Sequence, residues 1–169
     1  MNMAWILCWH YDLIPLTMLL MVVLLGSLAY IVYIINKEDL SLRDKIFIRL
    51  PFRVYFGWIS VATIANVTVL LVRWNWDGFG ISEAIWVAII IAVGLIIGAV
   101  TSVKNRDIAY ALVFIWAYTG ILIKHISSSG FAGQYTEVFA TVIISVILLI
   151  MASIYIVWSG KRLEKKSNS

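Results

Sequence analysis

Trp58, Ala62 and Asn66 fall at four-residue steps in the run LPFRVYFGWISVATIANVTVLLVRW, residues 50–74. At about 100° per residue, Trp58, Ala62, Ala65 and Asn66 share a sector of about 100°, with Thr63 beside it. A flat apolar indole and a polar amide on one face suit the wall of a small-molecule cavity. The same face also suits plain helix packing. Small residues let backbones approach, and an Asn or Thr hydrogen bond between helices contributes about 0.6 to 2 kcal/mol. Both readings turn this face inward.

A second candidate wall lies in DIAYALVFIWAYTGILIK, where Trp116 and Tyr118 join Tyr110 and Phe114. These aromatics fit a ligand wall or a packed core. Gly94 and Gly98 form a GxxxG pair on a face with Ala84, Ala88, Leu95, Ala99 and Ser102, which reads as a helix-packing surface and a homodimer signal. Cys8 and His10 offer a thiolate and an imidazole, but two ligands leave a four-coordinate metal site half empty, so no metal is expected. The single cysteine has no partner for an internal disulfide. Catalysis or proton transport in a membrane needs ionisable groups at depth. Lys37, Arg73, Lys104, Asp107 and Lys124 instead fall at the ends of apolar runs, where long side chains reach the headgroups. The expectation is a protein that is not an enzyme.

The elements that carry these residues follow from composition. Of 169 residues, 63% are hydrophobic and 13% charged, which places the chain in a membrane. Crossing the hydrocarbon takes about 20 apolar residues, and five stretches supply them: 11–36, 51–73, 82–103, 107–126 and 136–159. They are apolar all round, without the short alternating segments of an outer-membrane barrel. The expected fold is all-α, a polytopic bundle of about five transmembrane helices over 1–160, followed by a basic tail at 161–169.

Eleven of the thirteen basic residues fall on one side of this arrangement. Lys37, Arg43, Lys45, Arg49 and Arg53 lie between the first two spans, Lys104 and Arg106 between the third and fourth, and Lys161, Arg162, Lys165 and Lys166 in the tail. Arg73 and Lys124 lie opposite. The positive-inside rule then puts the N-terminus outside and the C-terminus in the cytoplasm of a plasma or bacterial inner membrane. The charge is topogenic, and no nucleic-acid partner is expected. The connector NKEDLSLRDKIFIRLP has Leu42, Ile46, Phe47 and Leu50 at helical spacing, which fits a short interfacial helix or a polar loop. Pro51 suits the first turn of the second span, and Asn105 or Asp107 suits the N-cap of the fourth.

The words of the second span carry a resemblance. Pro51, Phe52, Trp58, Ser60, Ala62, Thr63 and Asn66 occur in the order of the last core helix of the tryptophan-rich sensory, or translocator-protein (TspO/MBR), family. NMAWILCWHYDLIPLTMLLMVVLL is similar to the end of that family's third helix, with Asn2 and Trp5 in its Asn and Trp positions, and then its fourth. The three later spans resemble the extension of longer related members. In this register the family's first three helices have no counterpart here, and the chain reads as N-terminally shortened. The resemblance implies a cavity for tetrapyrrole or steroid-like ligands, a porphyrin or haem-type molecule included, with Trp58 and Asn66 on its wall. The rival expectation is a structural or assembly subunit without a ligand, packing through Gly94 and Gly98.

Overall fold

The computed structural model describes the backbone of residues 1–167 and the side chains of residues 1–160. The basic tail expected over 161–169 lies outside the described side chains. The elements are α1 (Asn2–His10), α2 (Ile14–Lys37), α3 (Leu42–Asp44) running through a π-turn (Lys45–Arg49) into α4 (Leu50–Arg73), a 3-10 turn (Gly78–Gly80), α5 (Glu83–Asn105), α6 (Ile108–Ile126) and α7 (Thr136–Ser167). Five stretches are long and apolar enough to cross a membrane: Ile14–Lys37, Leu42–Arg73, Glu83–Asn105, Ile108–Ile126 and Thr136–Gly160. At about 1.5 Å per residue, the 24 residues of α2 reach about 36 Å, beyond the hydrocarbon thickness of about 30 Å. The protein is an all-α integral membrane protein. Where the sequence reading has one bundle over 1–160, the contacts gather into two compact units, Met1–Gly80 and Ile81–Ser169.

Local chemistry sets the helix ends. Pro15 opens α2 in its first turn, where the missing N–H has no intrahelical role. Two carbonyls at the other end of α2, those of Ile35 and Glu38, accept from the Arg49 guanidinium at 3.1 Å each, which satisfies acceptors that a helix end leaves open. The carboxylate of Asp107, not the amide of Asn105, caps α6, accepting from the Tyr110 N–H at 3.1 Å. Pro51 sits in the first turn of α4, as the sequence suggests, but helical backbone already runs up to it from Leu42, nine residues earlier. A proline ring inside regular α-helix collides with the carbonyl four residues back. Here that carbonyl belongs to Phe47, inside the wider π-turn, and the helix passes Pro51 without ending.

In the first unit, α2 presents Ile14, Thr17, Met21, Leu28 and Val32 as one buried stripe. α4 answers with Gly57, Ile59, Ser60, Thr63 and Asn66. Met21, Leu28 and Ile59 form the centre of this seam, with Trp5 of α1 packed against it. The Tyr55 hydroxyl donates to Asn2 Oδ1 at 2.8 Å, tying α1 to α4.

The second unit is a three-helix arrangement. α5 buries Ile91, Gly94, Gly98 and Ser102, α6 buries Tyr110, Phe114 and Tyr118, and α7 buries Val138, Val142, Ser145, Leu149 and Ile156. Steps of three, four and seven residues keep each set on one face.

Candidate functional site

Asn66 is 3% exposed, in the last third of α4. Opposite it, the Thr17 hydroxyl donates to the Ile14 carbonyl of its own helix at 2.7 Å. With its one proton committed there, Thr17 accepts from Asn66 Nδ2, 3.3 Å away. A primary amide carries two N–H donors and a two-lone-pair oxygen, so a single hydroxyl engages only part of it. Asn66 Oδ1 stands 3.4 Å from the same hydroxyl, which has no second proton to offer. Thr63, one turn away, returns its proton to the Ile59 carbonyl at 2.7 Å. Asn66 is therefore the polar group of this seam with hydrogen-bonding capacity in reserve.

The rest of the expected face is turned differently. Trp58 is 45% exposed, Ala65 is exposed and Ala62 half-buried. The sector taken from the sequence as inward-facing is thus rotated: the buried seam is centred on Ile59, Ser60 and Thr63. Each four-residue step rises about 6 Å and turns about 40°. The line Trp58, Ala62, Asn66 accordingly winds along about 12 Å of α4, from its surface at Trp58 to the seam at Asn66.

Trp116 and Tyr118 do not form one wall. Two residues on a helix are about 200° apart, and Trp116 is 65% exposed while Tyr118 is buried. The Tyr118 hydroxyl donates to the Ile91 carbonyl of α5 at 2.7 Å, and its ring meets Phe114 edge-on at 6.3 Å between centroids. Tyr118 is a core residue of the second unit. Gly94 and Gly98 are buried inside the same unit. A Cβ at Gly98 would stand 2.8 Å from Cδ1 of Phe114. At Gly98 the space beside α5 is therefore taken by the Phe114 ring of α6.

Among the described residues no group of three or more His, Cys, Asp or Glu side chains could hold a metal ion. His10 packs edge-on against Tyr11, 5.2 Å between ring centroids.

Sequence reasoning missed Thr17. It is the one hydroxyl between Leu13 and Ser27, and its place on the stripe with Ile14, Met21 and Leu28 is the signal that could have found it. Arg49, a topological charge in the sequence, also closes the end of α2.

Comparison with known proteins gives one family. A family model described as TSPO-like protein matches residues 1–155. Searches of curated proteins and of solved structures gave no match.

Proposed function

Since the chain belongs to the TSPO-like family, we propose that this multi-pass membrane protein binds a hydrophobic small molecule of tetrapyrrole or steroid-like type along the Trp58, Ala62, Asn66 flank of α4. The observation that carries this reading is the partly engaged amide of Asn66. A buried amide with spare donors and acceptor is costly, and a ligand carbonyl or carboxylate would relieve that cost. Trp58 supplies an indole face at the outward end of the same line, large enough to stack on a planar ring system. Neither group is a nucleophile or acid–base pair, so the reading is of binding or transport without catalysis. The expected setting is a plasma or bacterial inner membrane with the N-terminus outside.

A second reading has its own observation. The Thr17 to Asn66 hydrogen bond pins α2 to α4, which is all that a structural or assembly subunit would need. Titrating protoporphyrin into the reconstituted chain and following tryptophan fluorescence separates the two. Saturable quenching that depends on both Trp58 and Asn66 supports the ligand reading, and quenching that never saturates supports the structural one.

A further inference from the structure

The connector from α2 to α4 sets exposed cations among exposed apolar side chains. Most of the charge there is already engaged. The Ser41 hydroxyl donates to Asp44 Oδ2 at 2.6 Å and receives the Asp44 N–H at 3.2 Å, which folds that carboxylate against its own turn. Arg49 is turned onto α2, and Lys37 Nζ sits 4.2 Å over the Tyr33 ring. Arg43 and Lys45 remain outward, exposed and without an ion pair among the described residues. Interleaved with them are Leu42, 75% exposed, and Phe47, 73% exposed, with Ile46 and Ile48 also outward. The acidic Glu38 and Asp39 lie ahead of Ser41, outside this helical stretch.

The stretch is continuous with a membrane span. Eight residues from Leu42 to Arg49 extend about 12 Å beyond the start of α4, the depth at which hydrocarbon gives way to headgroups. Apolar side chains at that level pack among the upper acyl chains, and cations at that level meet phosphates. A lipid phosphate is the complement of each cation, and because Arg43 and Lys45 are two residues apart in a helical stretch they face opposite sides and meet different headgroups, while acyl chains are the complement of Leu42, Ile46 and Phe47.

We propose that residues 42–48 form a binding site for anionic phospholipids. Arg43 and Lys45, on opposite sides of the helix, each hold one such headgroup, and Leu42, Ile46 and Phe47 pack against the chains. Each cation near an anionic surface strengthens association by up to about 5-fold.

The test uses the full chain reconstituted in phosphatidylcholine vesicles with trace spin-labelled phosphatidylglycerol or phosphatidylcholine. Electron spin resonance reads the lipid fraction immobilised on the protein. A severalfold preference for phosphatidylglycerol is expected. It should vanish in Arg43→Gln/Lys45→Gln and persist in Arg43→Lys/Lys45→Arg and in Lys104→Gln/Arg106→Gln. A preference unchanged by Arg43→Gln/Lys45→Gln, or lost in Lys104→Gln/Arg106→Gln, overturns the site. A nitroxide attached to a Cys8→Ser/Phe47→Cys chain, with both cations intact, gives an independent reading. Greater collision with oxygen than with a water-soluble nickel chelate is expected. The reverse order, or protection from both by a covering protein or second copy, overturns the proposal.

Discussion

The ring of Phe114 occupies the space that a side chain at Gly98 would need: an added Cβ would lie 2.8 Å from Cδ1 and 3.0 Å from Cγ. Phe114 is fully buried and set between the tilted ring of Tyr110 and the edge-on ring of Tyr118, at 5.2 and 6.3 Å between centroids, so it has little room to withdraw. Overpacking of this kind costs about 1 to 3 kcal/mol, against about 1 kcal/mol gained when alanine replaces glycine in a helix. Gly98→Ala should therefore lower the stability of the second unit by about 1 kcal/mol, a net of those two effects. Gly120, with nothing within 4 Å of its added Cβ, is the control. Gly120→Ala should be neutral or slightly stabilising when both variants are unfolded in detergent and followed by circular dichroism.

Tyr118 and Trp116 should part in the same assay. Tyr118→Phe removes the hydrogen bond to Ile91 and should cost about 1 kcal/mol, within the range for bonds between membrane helices. Trp116→Ala removes a larger side chain but leaves the buried face intact, and its stability should stay within about 0.5 kcal/mol of the parent. A larger loss from Trp116→Ala would show that its indole is held by contacts that its exposure conceals.

The spans were legible because apolar length alone defines them: four of the five lie within three residues of the expected ends, while the second begins nine residues earlier, at Leu42. Rotation about each helix axis was not. Apolar residues are welcome on both sides of a membrane helix, so hydrophobic periodicity carries no phase. In α4 the phase is set by Gly57, Ser60, Thr63 and Asn66, the small and hydroxyl or amide residues, while the conspicuous Trp58 stands on the flank. GxxxG carries no information on which helix lies against it; at Gly98 the neighbour is Phe114 of α6. The π-turn had no signal except Pro51, whose effect depends on the backbone before it.

The Thr17 to Asn66 contact predicts a measurable coupling. In a double-mutant cycle of Thr17→Ala and Asn66→Ala, the coupling energy should be about 0.6 to 2 kcal/mol. Asn66→Leu should disturb the first unit more than Leu70→Ala does. Additive effects of the pair would mean that the contact at 3.3 Å contributes nothing to holding the two helices.

The split of eleven basic residues against two predicts an N-terminus outside and a C-terminus in the cytoplasm. In a Cys8→Ser chain, a cysteine at Ser129, in the exposed loop between α6 and α7, should react with an impermeant thiol reagent added to intact cells. A cysteine at Asp39, between α2 and α3, should react only after permeabilisation. Labelling of both without permeabilisation would exclude the expected arrangement.

The ligand reading makes the most specific demand on the flank of α4. If a planar ligand stacks on Trp58 and takes a hydrogen bond from Asn66, the two substitutions should fail differently. Trp58→Phe keeps an aromatic face and loses a quencher-sensitive indole, so the quenching amplitude should fall while affinity changes by less than about 10-fold, because an aromatic stack of about 0.5 to 1.5 kcal/mol is largely retained. Asn66→Leu removes the polar anchor and should weaken protoporphyrin binding by about 2- to 13-fold, the range for one net hydrogen bond, and by more where the ligand group is charged. Trp76→Phe, at the opposite end of α4 from Pro51, should leave the affinity unchanged. Thr17→Val sharpens the distinction. It breaks the pin between α2 and α4 but frees an Asn66 donor, so a purely structural amide predicts loss of stability alone. A ligand-directed amide predicts that binding survives at the same affinity or tighter.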